Sequence, residues 1–184
     1  QQAIDQKSGV QSNNYQIPQQ NDINIEQSEG DKHLTAKEKE LKGKLTRQAE
    51  AGDPESQFEL YMHEGKTQRK WLCRSADQGN TGAAMWLGYV FETGTYGFPR
   101  DDIQSYLWYR RAATGQHQKE IVKEIKRIKK KSFRWSLCKG APCGIAQKIV
   151  DLEGKLGSDG VSRAEYMLEQ WEPGQCEQQF VEME

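Results

Sequence analysis

Apolar residues in the middle of the chain recur at intervals of three and four, the spacing that brings them to one face of an α-helix. The recurrence of Leu34, Leu41 and Leu45 predicts a first helix over about residues 36–51. A Gly-Asp-Pro sequence then interrupts the pattern, and its Asp53 is a candidate N-cap for a second helix that has proline at its first position. Helices separated by short turns are therefore the expected elements.

The same pattern continues along the chain. It predicts a third helix that ends at Gly79, a fourth from Thr81 to Phe91 and a fifth that begins at Asp101 or Asp102. No stretch alternates between apolar and polar residues for long enough to predict a sheet. The fold class predicted from the pattern is all-α.

A sixth helix is predicted from a narrow stripe of isoleucines, Ile121, Ile125 and Ile128, whose remaining face is lysine and arginine. The basic run 126–131 could meet phosphate groups, but the isoleucines on the opposite face are typical of an ordinary amphipathic helix. We therefore expect neither nucleic-acid nor lipid binding by this helix.

The C-terminal region, residues 132–184, is predicted to be helical as well. Residues 145–156 and 161–171 have helical spacing, and a glycine-containing segment separates them. The last dozen residues, which include Cys176 and Phe180, are expected to pack back on the preceding helices.

Composition and charge narrow the class of protein. Of the 184 residues, 35% are hydrophobic and 29% are charged, and no stretch approaches the length of apolar sequence that a membrane span needs. The net charge is only -1, but nine of the 21 residues in 119–139 are Lys or Arg, whereas 140–184 contain nine acids and three bases. Attraction to a charged partner must therefore be local.

Residues 1–32 read as a polar arm or tether, because residues 1–30 contain eight Gln and four Asn with few apolar groups. The chain begins with Gln1 rather than Met and has no signal segment, as expected of a processed export product. We expect a periplasmic or secreted protein, with the arm as a candidate position for a lipid tether. A cytoplasmic protein is the alternative.

The four cysteines suit an oxidising compartment, since their number is even. Cys138 and Cys143 flank a turn that contains Gly, Ala and Pro, and we predict a local disulfide between them. Cys73 and Cys176 are a second candidate pair. The spacing does not suit zinc, and no metal or other cofactor is expected.

An internal repeat organises residues 33–131. Superposing Gly52 on Gly79 also superposes Leu60 on Leu87. The second copy resembles the Sel-like repeat family, whose tetratricopeptide-related αα-hairpins have small, aromatic and Gly residues at set positions. The matching residues are Gly79, Ala83, Leu87, Gly88, Phe91, Gly94, Gly97, Asp101, Ser105, Trp108, Ala112, Ala113 and Gly115.

The resemblance covers about residues 49–116, and the first copy is degenerate, with Tyr61 in place of the repeat's Gly and Ser56 in place of its Ala. It implies a short αα-hairpin solenoid in which each hairpin buries its face against its neighbours. In such an arrangement Trp108 and Phe91 are expected to fill the gap between hairpins.

Enzymatic chemistry has little support in the sequence. The three histidines lie in different elements, and no nucleophile stands near any of them. Some Sel-like proteins are hydrolases that act on antibiotics or cell-wall material, and Glu165, Glu169 or Cys176 are the residues for such a role. A non-enzymatic protein is the preferred interpretation.

The resemblance implies bacterial adaptors or envelope regulators, and also periplasmic immunity proteins that inhibit lipase-type toxin effectors. We therefore expect an exported binding or inhibitor protein that recognises a toxin effector, or a secretion or envelope component, through the groove of its helical solenoid. A self-associating envelope scaffold is a further alternative.

The repeat also separates residues that the fold requires from residues free to bind a partner. The free positions on the first helix of the first copy are Glu59, Met62 and His63, and in the second copy they correspond to Trp86, Tyr89 and Val90. The candidate partner-binding residues among them are Glu59, Met62, His63, Trp86 and Tyr89. The alternative is that the two aromatic residues pack on an adjacent helix.

Overall fold

A computed structural model of the chain describes residues 36–64, 68–114, 117–130 and 140–181. These ranges contain eight helices and no strand, which confirms the all-α prediction. Residues 1–35, the predicted arm included, lie outside them. The helices are α1 (Ala36–Glu50), α2 (Pro54–His63), α3 (Arg69–Asp77), α4 (Thr81–Thr93), α5 (Asp102–Ala112), α6 (Gln118–Lys129), α7 (Ala141–Glu169) and α8 (Gln175–Val181).

Short polar side chains begin three of these helices. The Asp53 carboxylate accepts a hydrogen bond from the backbone N–H of Ser56 at 2.8 Å. Asp101 accepts bonds from the backbone N–H groups of Ile103 and Gln104 in α5 at 2.8 and 3.0 Å. Asn80, which the sequence analysis did not single out, does the same for α4. Each cap satisfies N–H groups that have no partner within the helix.

Glycines with positive φ end or interrupt helices where the sequence predicts a break. Gly94 has φ 69° and ψ 36° and is the C-cap of α4. Gly157 has φ 66° and ψ -176°, and it divides α7 into two helical parts at the predicted separation. An L-residue with a side chain would be strained at both positions.

Close packing of α4 against α5 depends on Gly88. A Cβ atom at this position would lie 2.9 Å from three ring atoms of Tyr109. The hydroxyl of Ser105 donates to the carbonyl of Gly88 at 2.8 Å, so that the two helices are also joined by a buried hydrogen bond. The small residue Gly88 therefore allows α4 and α5 to approach each other closely.

From α1 to α5 each helix packs against the next, as consecutive hairpins require. The pattern then changes, because α7 packs against α5, and α6 packs against α7. Trp108 is fully buried as predicted, and its ring contacts the C-terminal Trp171, with centroids 4.9 Å apart. Phe91 packs edge-on against Phe98. The C-terminal residues after α7 therefore pack beside α5.

The C-terminal segment returns to α3, as predicted for the last dozen residues. Cys176 forms a disulfide with Cys73, and α8 packs against α3. An ion pair of 2.7 Å between Arg74 and Glu177 supports the same contact. We refer to residues 171–178 with these contacts as the C-terminal clasp.

Candidate binding surface

The structure places the two aromatic candidates for partner binding in the core. Trp86 is 6% exposed and Tyr89 is 7% exposed. The indole N–H of Trp86 donates to the hydroxyl of Tyr61 at 3.3 Å, and its ring lies 5.5 Å from that of Tyr89. The expectation that these rings are exposed is wrong, and the alternative of packing on adjacent helices describes them.

The three candidates on α2 are more accessible. His63 is exposed, whereas Glu59 and Met62 are half-buried and Met62 packs against the core. The repeat pattern placed these residues at free positions, and the structure leaves part of each accessible. Their assignment to a partner stays a prediction.

A broader accessible surface lies on α6. Ile121 of this helix is fully buried, and Ile125 and Ile128 are partly buried against the core. These residues fix α6 on α7 by its apolar face. The opposite face of α6 therefore points away from the protein.

Four exposed lysines lie on that opposite face. They occur at positions i, i+4, i+7 and i+11, so they fall within about 60° of the helix circumference. In the part of the chain that the structure describes, none of their ammonium groups has a carboxylate within 4.0 Å. We call this surface the lysine face; its residues are Lys119, Lys123, Lys126 and Lys130.

The acidic residues of α6 do not neutralise the lysine face. Glu120 lies 2.8 Å from the ring of His117, and Glu124 accepts from Arg127 at 2.8 Å. These pairs run along the edges of the helix. Within the described residues, the positive charge of the lysine face is therefore not neutralised by a carboxylate.

The lysine face also adds nothing to the stability of α6 by itself. Like charges at i and i+4 destabilise a helix by about 0.2–0.5 kcal/mol per pair, and Lys119–Lys123 and Lys126–Lys130 are such pairs. Lys119 is also in the first turn, where the helix dipole disfavours a cation.

Two of the three residues proposed for a hydrolase, Cys176 and Glu165, make other contacts in the structure. Cys176 is in the disulfide and is therefore not a free thiol. The carboxylate of Glu165 accepts from the Tyr106 hydroxyl at 2.8 Å and pairs with Arg110 at 3.1 Å. Glu169 is exposed on α7. Structural contacts thus account for Cys176 and Glu165.

Burial shifts the pKa values of several groups. Desolvation, and then the hydrogen bond to Glu165, raise the pKa of Tyr106. Desolvation likewise raises the pKa of Tyr61 and of Tyr109, whose hydroxyl also donates to Glu92. These buried tyrosine hydroxyls therefore stay protonated at neutral pH.

Asp77 and Arg111 form a partly desolvated ion pair beside the C-terminal clasp. Burial raises the pKa of Asp77 and lowers that of Arg111, although their charges, 3.8 Å apart, act in the opposite direction. Asp77 also accepts from the indole N–H of Trp171 at 3.1 Å and from the backbone N–H of Gly174 at 2.8 Å. The sequence carried no signal of this cluster, since its members are distant along the chain.

The predicted disulfide between Cys138 and Cys143 lies partly outside the described residues. Cys143 is disulfide-bonded. Cys138, its predicted partner, is in the segment 131–139, which the structure does not describe. The pairing of these two residues stays a prediction.

The described residues form neither a metal site nor a membrane-spanning helix. Among the residues described, no group of three or more His, Cys, Asp or Glu side chains is arranged to hold a metal ion. None of the described helices has the length and apolar character needed to cross a membrane.

Comparison with known proteins found no matching family model, no matching curated protein and no matching solved structure. The Sel-like resemblance therefore rests on the residues quoted above.

Proposed function

We propose that this protein is a non-enzymatic protein–protein interaction module that binds its partner through the lysine face of α6. The observation that carries the proposal is the line of four exposed lysines that have no carboxylate partner among the described residues, on a helix whose other face is fixed to the core. Exposed like charges at i and i+4 repel one another along the helix, and such a surface favours a role in binding.

The position of α6 supports this function. The helix is held by buried isoleucines against α7, and α7 in turn packs against α5. The lysines therefore have a fixed backbone arrangement before a partner arrives. A preorganised surface loses less conformational entropy on binding than a flexible segment does.

We further propose that the module works in an oxidising compartment, as a periplasmic or secreted protein. The Cys73–Cys176 disulfide supports this location, because disulfides persist mainly outside the cytoplasm. Together with the resemblance to Sel-like repeats, it supports an exported bacterial inhibitor of the immunity type. In this proposal the helices α2–α5 are a short solenoid of degenerate repeats that carries α6.

The test compares capture of binding proteins from the native source by the wild type and two variants. The lysine-face variant carries Lys119→Ala, Lys123→Ala, Lys126→Ala and Lys130→Ala. A matched control, the scattered-charge variant, removes four exposed cations from other surfaces, and it carries Lys39→Ala, Lys44→Ala, Arg47→Ala and Arg163→Ala.

A partner captured by the wild type and the scattered-charge variant, but lost by the lysine-face variant, would support the proposal. Each captured protein is then purified and its Kd is measured by titration calorimetry. Equal affinities for all three forms of the chain would overturn the assignment of the binding surface to α6.

A further inference from the structure

The lysine face has a geometry that selects among anionic partners. From Lys119 to Lys130 the helix rises about 16 Å, and the four ammonium groups follow one line along its axis. Lysine ends in a compact point charge on a flexible stem, whereas bidentate recognition of phosphate favours arginine. The arginine of α6, Arg127, is already paired with Glu124.

The surroundings of the lysine face do not suit a nucleic acid. The sequence of α6 contains no aromatic residue on which a base could stack. Phosphate contacts from lysines carry no base selectivity of their own, so a DNA duplex is one of the probes in the test below.

A membrane surface is also a poor match. Helices that lie on membranes bury a broad apolar face in the lipid and keep their cations at its border. On α6 the isoleucines face the core, and the large apolar side chain that is exposed is Val122, at 41%. This area is too small to hold the protein in a bilayer.

The spacing fits another helix. Carboxylates at i, i+4, i+7 and i+11 of a partner helix would repeat along its axis at the same intervals as the lysines. Same-face residues of an extended strand repeat about every 6.7 Å and would cover about 20 Å in three steps. An extended segment therefore drifts out of register with the lysine face.

We infer that the partner presents an acidic helix, with a line of carboxylates that pairs with Lys119, Lys123, Lys126 and Lys130. This inference rests on the proposed function and adds the chemical class of the partner. Pairing removes the repulsion between neighbouring lysines and gives an attraction that falls as salt is added.

The inference is tested with four probes on the full-length protein. The first is an alanine-rich helical peptide with glutamates at i, i+4, i+7 and i+11. The second has the same composition with its glutamates spread around the helix. The others are a short DNA duplex and vesicles of mixed phosphatidylcholine and phosphatidylserine. Binding is measured by fluorescence anisotropy of the labelled peptides and DNA, and by vesicle sedimentation.

The first peptide is expected to bind more tightly than the second. The lysine-face variant should lose about tenfold or more of that affinity, as expected for four exposed ion pairs, and the scattered-charge variant should keep it. The affinity should fall as ionic strength rises from about 0.1 to about 1 M, where the Debye length shortens from ~10 to ~3 Å.

Each contrary result points to a different failure. Equal binding of the two peptides would overturn the helical match. Tighter binding of DNA or vesicles, abolished in the lysine-face variant, would overturn the partner class while the binding surface stands. If no probe binds and capture of the native partner is unchanged in the lysine-face variant, both the inference and the proposed function fail.

Discussion

Asp77 joins parts of the chain that are nearly a hundred residues apart. Its carboxylate accepts hydrogen bonds from residues 94 and 97 positions further along, Trp171 and Gly174. Only 7% of its side chain is exposed, and the guanidinium of Arg111 supplies the opposite charge. The three donors offset part of the desolvation of one carboxylate, so they depend on its presence.

Asp77→Ala should therefore lower the free energy of unfolding by about 2–4 kcal/mol, because it leaves buried donors and a cation without an acceptor. Asp77→Asn keeps an acceptor and should cost less. Chemical denaturation followed by circular dichroism measures both. The exposed Asp151→Ala is the control, with a change of about 0.5 kcal/mol or less. A similar loss in all three would show that the cluster carries no special weight.

The buried phenols predict the behaviour at alkaline pH. Their pKa values are raised in the folded state, so their contribution to stability is complete below the unfolded pKa of about 10 and is lost as the pH rises through the folded values. Tyr61, Tyr106 and Tyr109 are three of seven tyrosines.

Absorbance near 295 nm should therefore show fewer than seven ionised tyrosines in the folded chain just above pH 10, and the rest should ionise together with loss of helical circular dichroism. Ionisation of all seven while the helical signal is intact would contradict the burial of these side chains.

The helices themselves were predictable from local sequence. Caps such as Asp53 and Asp101 and breaks such as Gly157 act within a few residues, so their effect can be read from the chain. The packing of α6 on α7, and of Trp108 on Trp171, could not be, since it depends on contacts between distant residues. The same limit explains why the repeat pattern placed Trp86 on the surface: the pattern says which positions vary, not what covers them.

The basic character of α6 was also evident in the sequence, and the expectation there was an ordinary amphipathic helix. What the structure adds is the set of ion pairs. It shows that the glutamates of α6 pair with His117 and Arg127 and leave the lysine face without a carboxylate in the described part of the chain. A charge count along the helix cannot distinguish paired from unpaired lysines.

At the scale of this helix, the lysine-face variant should keep the stability of the wild type within about 1 kcal/mol or exceed it. Alanine has the higher helix propensity, and the substitutions remove repulsion between neighbouring lysines. They also remove favourable interactions of Lys126 and Lys130 with the C-terminal end of the helix dipole, which limits the gain. Thermal unfolding measures the difference. A loss well above 1 kcal/mol would mean that the lysine stems pack in the fold, and loss of binding by this variant would then have another explanation.

Across the whole molecule, the Cys73–Cys176 disulfide closes a loop with a sequence separation of 103 that contains α4 to α7. A disulfide lowers the entropy of the unfolded chain, and this effect grows with loop length. For a loop of about 100 residues, the resulting stabilisation of the folded state is about 4.7 kcal/mol when only this entropy is considered. The C-terminal clasp is held to α3 by this bond and by far weaker polar contacts.

Cys73→Ala combined with Cys176→Ala should therefore lower the free energy of unfolding by about 2–5 kcal/mol, as measured by denaturation under non-reducing conditions. Because α8 packs on α3 whereas α6 packs on α7, the folded fraction of this variant should bind the acidic helical peptide with the affinity of the wild type. Replacement of Cys138 and Cys143 by alanine is the matched control, and it should cost less because the loop that their predicted pairing closes is short. A variant that stays as stable as the wild type would mean that other contacts hold the clasp, and a folded variant with weakened binding would place the clasp in the binding surface.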